Sequence, residues 1–526
     1  MLSLAIAGCG TGLQPGASAL PGIVLGTTAT VRTLDPADNT GFFASNILYN
    51  TTERLYGYKP GTTELRPQLA TDFPQISADG LTYTIPLRQG VKFHDGTPFD
   101  AETMAFSLRR FLTAGGAPSY LLTGAIADVR AVDAYTLEIQ LKKPLAFFPK
   151  LLAFTGAAAI SPRAYQNEQF RPDTVVGTGP YRVVAYQPGQ FLRLQAFAEY
   201  WGEAPLTPDL TIQFVASSAN LLNALKTGAV DIAFQTLSPP QVRNLRQTQG
   251  DWYTVEGPGA TILYASLNLQ QPPLTDRRVR QSLAAAIDRR LTAERVFLGQ
   301  REPLFSLVPP LFPEAVPAFA RYGDGNSPLA KQLLAEAGYS PDRPARIPLW
   351  YPPTYAGNGD LLAATLQAIV ARNTDGALQL QLERVNQTTA NAFIESGVYP
   401  AFLFDWVPDF AEADNYLSPF LGCTRAANQV CLEGATHFQG TFYQNPEINA
   451  LLAQQRQEGD PARRTQQLRQ IQAIAAADVP FVPLWQTREY AFARKSVAGL
   501  RLEPTQQLAY STLHKLPPSA SPLPGS

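Results

Sequence analysis

Residues Ile23–Val31 alternate and are rich in β-branched side chains, which predicts an opening strand that stops at Leu34-Asp35-Pro36. Glu53–Tyr58 and Leu65–Phe73 lead through the turn signal Ser77-Ala78-Asp79-Gly80 into the alternating run Leu81–Leu87, so a hairpin is expected. Phe93-His94-Asp95-Gly96-Thr97-Pro98 reads as another turn. Asp100 then caps a helix whose apolar face is Met104, Leu108, Phe111 and Leu112. Tyr135–Leu141 alternates again, and Gly177-Thr178-Gly179-Pro180 forms a tight turn of small residues before the strand Tyr181–Tyr186. A short helix from Ala219 ends at Gly228, a C-terminal cap position, before the strand Val230–Phe234.

Downstream, Thr275 or Asp276 caps a helix carrying Val279, Leu283 and Ile287 inward and Arg277, Arg278 and Gln281 outward. Helix Leu329–Ala337, strand Ile347–Tyr351, helix Asp360–Ala371 and strand Leu378–Val385 continue the alternation. Helix Pro461–Ala477 precedes the strand-like run Val479–Trp485, which is expected to return toward the first lobe. Mixed elements in this order predict an α/β chain with a second α/β lobe.

Length supports the division: 526 residues exceed the roughly 250–300 at which one hydrophobic core stops growing. The formal net charge is −1, from 42 Lys and Arg against 43 Asp and Glu, and no basic run is interleaved with aromatics, which argues against nucleic acid as a partner. Apolar segments are broken by Pro, Arg or Gln before they reach the ~18 residues that a membrane span needs.

Three cysteines are present, and their settings differ. Leu4-Ala5-Ile6-Ala7-Gly8-Cys9 resembles a bacterial lipobox, in which small residues admit the signal peptidase and the cysteine thiol takes a diacylglyceryl group. A Gly/Ser/Pro-rich linker follows Cys9, as a tether would require. Export permits disulfides, and once Cys9 is lipidated Cys423 and Cys431 remain as one possible pair. Only the single His437 stands near them, so they carry no metal-ligand pattern.

Catalytic signatures are missing: there is no G-x-S-x-G, no H-E-x-x-H, no Walker A loop and no G-x-G-x-x-G at a strand-to-helix turn. Only His94, His437 and His514 occur, widely separated, and His94 reads as a turn residue. Neither an enzyme nor a resident cofactor or metal is expected.

Taken together, the segments resemble family 5 bacterial solute-binding proteins of ABC importers, the dipeptide, oligopeptide and nickel-binding type. The marks are Thr33-Leu34-Asp35-Pro36, Asp79-Gly80-Leu81-Thr82-Tyr83-Thr84, Leu87–Gly96, Gly177-Thr178-Gly179-Pro180-Tyr181, Tyr200-Trp201-Gly202 and Pro273–Leu283 with Ala286-Ile287-Asp288-Arg289. The resemblance implies an extracytoplasmic, monomeric receptor with two lobes joined by two crossing segments, one near Tyr264–Asn268 and one near Trp485. The expected division is a signal remnant and linker over 1–22, a first lobe over 23–264 with an extra subdomain at about 55–175, and a second lobe over 265–484. A return to the first lobe over 485–515 and a disordered tail over 516–526 complete it.

Binding residues carry over from the family segment Gly-Trp-x-x-Asp, which stands here as Asp405-Trp406-Val407-Pro408-Asp409, with Asp405 in place of the leading glycine. In peptide-binding members the final acid pairs with the ligand's α-ammonium group, which makes Asp409 the first candidate. Thr40, Gly41 and Phe42 are expected along the ligand backbone, with the backbone groups of Gly41, Phe42 and Val407 pairing with it as an added strand. Trp406 and Trp485 are candidate floors of side-chain pockets, and Tyr264 is a further candidate contact. The implied partners are a peptide or peptide-like solute, the permease subunits of an ABC importer and, through the lipid anchor, the membrane. Alternatives are a carrier of a nickel chelate, haem or another non-peptide solute and, from a different class, a secreted hydrolase.

Overall fold

The computed structural model describes residues 22–517 apart from 167, 168, 236, 354 and 506; the expected lipidation site Cys9 and residues 518–526 of the expected tail lie outside the described residues. One eleven-stranded sheet passes through both lobes. Its centre is a pair of long antiparallel strands, Trp252–Leu267 and Phe481–Arg494. On the first-lobe side Phe481–Arg494 continues into Ile232–Phe234, which lies next to Ile23–Thr27 and then Asp209–Phe214. On the second-lobe side Trp252–Leu267 pairs with Ala401–Trp406, followed by Ala345–Tyr351 and Leu378–Arg384. Among the described residues no helix is long and apolar enough to cross a membrane.

The register of the central pair shows where the chain changes lobes. Trp252–Pro258 lies opposite Arg494–Arg488 and Ile262–Ser266 opposite Gln486–Phe481, with an irregularity between Pro258 and Ile262. Gly259 sits in that irregularity, where a Cβ would fall 1.9 Å from Thr487 Oγ1, so the close approach admits only glycine. The crossing expected at Tyr264–Asn268 therefore lies earlier in the chain. Tyr264 is 1 % exposed and packs among Phe404, Phe420 and Phe481, inside the second lobe.

A four-stranded antiparallel sheet, Gln75–Ile76, Thr82–Pro86, Thr136–Leu141 and Ile126–Asp133, forms an extra subdomain with the helix Ala101–Thr113. Asp100 caps that helix by accepting from Thr103 N, and Thr103 Oγ1 accepts from Asp100 N in return. Met104, Leu108 and Phe111 are buried as the helical period requires, each contributing about 1.5–3 kcal/mol.

Two buried acids show what the sequence motifs build. Asp35, in Leu34-Asp35-Pro36, accepts two hydrogen bonds from the Arg110 guanidinium at 3.0 and 2.7 Å, and also accepts from Ala37 N and Arg171 N. Both side chains of the pair are almost fully buried. The pair fixes the subdomain helix to the first lobe, and loss of one partner would cost about 3–5 kcal/mol. Glu53 accepts from Thr178 Oγ1, Tyr200 OH and Trp201 Nε1, so Gly177–Tyr181 and Tyr200-Trp201-Gly202 converge on one carboxylate. Burial pushes Glu53 up while these donors pull it down. Gly177 and Gly179 are required by contact: a Cβ on either would come within 2.6 Å of the Thr51 backbone.

Candidate ligand-binding cleft

Alternation along Ala401–Trp406 and beyond decides which side chains reach the space between the lobes. Asp405 and Val407 project into it, whereas Phe404 and Trp406 turn toward the second-lobe core. Trp406 packs edge-on to Phe420 at 5.4 Å, and its Nε1 is buried without a hydrogen-bond partner.

Beyond Val407 the chain runs as a loop against the subdomain. Tyr120 OH donates to Asp409 Oδ2 at 2.9 Å, Phe147 stacks on Phe410 at 5.8 Å, and Lys150 pairs with Glu412 at 2.6 Å. Asn415 completes the Asp409 setting, with its Oδ1 accepting from Asp409 N and its Nδ2 donating to the carboxylate at 3.4 Å. Desolvation pushes the Asp409 pKa up, and the bonds from Tyr120 and Asn415 only partly oppose it. Among the described residues Asp409 forms no ion pair with a Lys or Arg. It is an acid with hydrogen-bond donors but no counter-ion.

Asp409 lines a cavity of about 130 Å3 together with Thr40 and Phe42 from the first lobe and Pro118 from the subdomain. Arg54 lines the same cavity; it is buried, its Nη1 donates to Thr52 O, and its Nε has no partner. A second cavity of about 640 Å3 lies toward the crossing strands and shares Phe42 and Val407 with the first. Asp405, Arg301 and Glu489 line it.

Asp405, Asp409, Val407, Thr40 and Phe42 are thus brought together at the cleft, and other expected contacts are not. Trp485 is fully buried, donates from Nε1 to Arg289 O and packs on Phe297 at 5.3 Å; it belongs to the second-lobe core and floors no cleft pocket. Tyr264 is likewise a core residue, with its hydroxyl bonded to Gln439. Gly41 does not offer its backbone as a strand edge. It is the N-cap of the helix Phe42–Thr51, its N–H donates to Asn39 Oδ1, and its carbonyl accepts from Ser45 N. Sequence reasoning missed Tyr120, Arg54, Arg301 and Glu489. Tyr120 and Asp409 are 289 residues apart, and no local pattern joins them. Cys423 and Cys431 form a disulfide that ties the second strand of the hairpin Arg425–Ala427 and Val430–Glu433 to the residues just before it.

The family model for bacterial extracellular solute-binding proteins, family 5, middle region, matches residues 64–428. The chain belongs to this family. Family 5 proteins of this kind are α/β, two-lobed binding proteins of ABC transporters and not enzymes, and so is this chain. A glutathione-binding protein, GsiB, of Escherichia coli strain K12 is 28% identical over 92% of each chain. Among solved structures, HbpA2 from Haemophilus parasuis superposes with a TM-score of 0.80 at 23% identity, covering 94% of this chain and all of that one. A dipeptide-binding protein from Pseudoalteromonas sp. SM9913 in complex with Met-Leu gives a TM-score of 0.76 at 23% identity, with the same coverage.

Proposed function

We propose that this protein captures short peptides or peptide-like solutes by closing its lobes around them and hands them to the permease of an ABC importer, held at the membrane by a lipid on Cys9. The observation that carries the reading is Asp409. It is a desolvated carboxylate with donors but no counter-ion, in a cavity walled by both lobes and the subdomain. A ligand ammonium supplies the missing charge. Arg54 in the same cavity is a buried cation that suits the opposite end of a short zwitterion. The glutathione-binding relative and the neighbour holding Met-Leu support a peptide-like cargo.

Closure follows from the same geometry. A ligand touching Asp409 and Phe42 contacts both lobes, so its binding energy favours the closed state over the open one. The test is thermal-shift screening of the purified protein with short peptides, glutathione, chelated nickel and sugars. A ligand that binds only the folded state at about 100 times its Kd adds about 2.7 kcal/mol of stability. Peptides with a free amino terminus should raise Tm and their N-acetylated forms should not. A shift with chelated nickel or sugars, and none with any peptide, would overturn the reading.

A further inference from the structure

The larger cavity holds three charged side chains that satisfy none of one another. Arg301 extends along the short strand Arg301–Pro303, opposite Thr487 in the register, so Glu489 two residues further lies on the same face. The Arg301 Nε is buried with no hydrogen-bond partner, and its Nη1 reaches only the carbonyl of Gln300. Its ring contact is Phe297, at 5.5 Å. Asp405 enters from the second-lobe strand; its side chain bonds its own backbone and forms no ion pair among the described residues. Arg301 feels both Asp405 and Glu489 electrostatically, yet it forms an ion pair with neither. Arg488 also borders the cavity but is already paired with Glu302 and Glu256.

A guanidinium whose buried Nε has no partner suits a carboxylate. Two nearby carboxylates held up by desolvation would oppose a simple anion at that spot and welcome a cation beside it. A group that brings both charges a bond or two apart meets all three side chains at once. We infer that this cavity is a second ligand subsite for an amino-acid head group, with its carboxylate on Arg301 and its ammonium between Asp405 and Glu489. The ligand class is a peptide linked through a side-chain carboxyl, such as a γ-glutamyl peptide, whose α-ammonium and α-carboxylate remain on one carbon. This inference rests on the cleft being the ligand site, and it gives α-linked peptides to Asp409 and γ-linked peptides to Arg301.

Two isomeric probes separate the two pockets: α-glutamyl-alanine and γ-glutamyl-alanine, of equal composition and formal charge. Calorimetric titration of the full-length protein should show the γ isomer weakened about tenfold or more by Arg301→Gln and little by Asp409→Asn, with the reverse pattern for the α isomer. Arg301→Lys, which keeps the charge and loses the planar fork, should weaken the γ isomer by an intermediate factor and guards against a folding defect in Arg301→Gln. Asp405→Asn with Glu489→Gln should weaken the γ isomer as well. Failure of the γ isomer to bind the wild type, or equal loss of both isomers in Arg301→Gln with an unchanged Tm, would overturn the subsite. Loss of the α isomer's dependence on Asp409 alone would overturn the reading of Asp409 and leave the subsite standing.

Discussion

Asp409→Asn separates binding from folding, because the two should move in different directions. In the free protein the carboxylate is desolvated and has no cation, so its pKa lies above the ordinary aspartate range. Ionising it therefore costs folded-state stability as the pH rises from the unfolded value through the raised one. The amide keeps an oxygen for Tyr120 OH and removes that cost, so the unliganded variant should melt at or above the wild-type temperature. Binding should fall. With the lobes closed, the ligand ammonium and Asp409 form a pair shielded from water, and removal of one partner costs about 3–5 kcal/mol. That corresponds to a rise in Kd of roughly two to almost four orders of magnitude. The ammonium needs the ionised carboxylate, so wild-type affinity should be full above the raised pKa and decline as pH drops through it. The decline should begin at a higher pH than for an ordinary aspartate, and Asp409→Asn should lack it. The assay is titration calorimetry of both proteins with one dipeptide, free and N-acetylated, at several pH values. Equal losses for the free and acetylated forms would refute the argument and make Asp409 a support for its own loop.

Three further outcomes are expected. The His94 pKa is pushed down to about 4 by burial, which leaves Nδ1 without a partner and outweighs the upward pull of the bond that Nε2 donates to Gly179 O. The unfolded state takes up its proton first, so this contribution is fully present above about 6.5 and up to about 3 kcal/mol is lost as pH falls toward 4; melts of His94→Gln at pH 7 and pH 5 should show a flatter dependence than wild type. Replacing Cys423 and Cys431 together by serine should lower stability in urea unfolding by about 2 kcal/mol or less, since a separation of 8 residues closes only a short loop. Cys9→Ala should move the protein from the membrane to the soluble fraction, checked by fractionation and by the mass of the N-terminal peptide.

Much of the scaffold was legible because it is local. The Asp100 cap, the face Met104–Leu108–Phe111 and the cap at Gly228 follow from periods and turn chemistry within a dozen residues. The central strands were less readable. Trp252–Leu267 over its second half and Phe481–Arg494 over its first half are buried on both faces, so hydrophobicity does not reveal which side chains face the cleft. This is why Tyr264 and Trp485 looked like ligand contacts when both fill the second-lobe core. Gly41 misled for a different reason: Asn39 accepts its N–H and sets up a helix start where an extended edge was expected.

The cleft separates what the fold needs from what sets the ligand. Asp35, Gly177, Gly179, Tyr200 and Trp201 lie in the motifs that carry the family resemblance, and each is consumed by scaffold contacts, several of them to Glu53. The departure from the family segment, Asp405 in place of the leading glycine, falls where alternation along its strand aims a side chain into the larger cavity. A glycine there would leave Arg301 facing Glu489; Asp405 adds a second carboxylate to the lining of the same cavity. A buried cation flanked by two acids without a direct ion pair is costly unless something else enters to satisfy it. If the cavity is the proposed subsite, the substitution should change which ligands the cleft holds while leaving the crossing strands and the Asp409 loop intact. Restoring glycine at this position should thus alter selectivity between γ- and α-linked peptides more than it alters Tm.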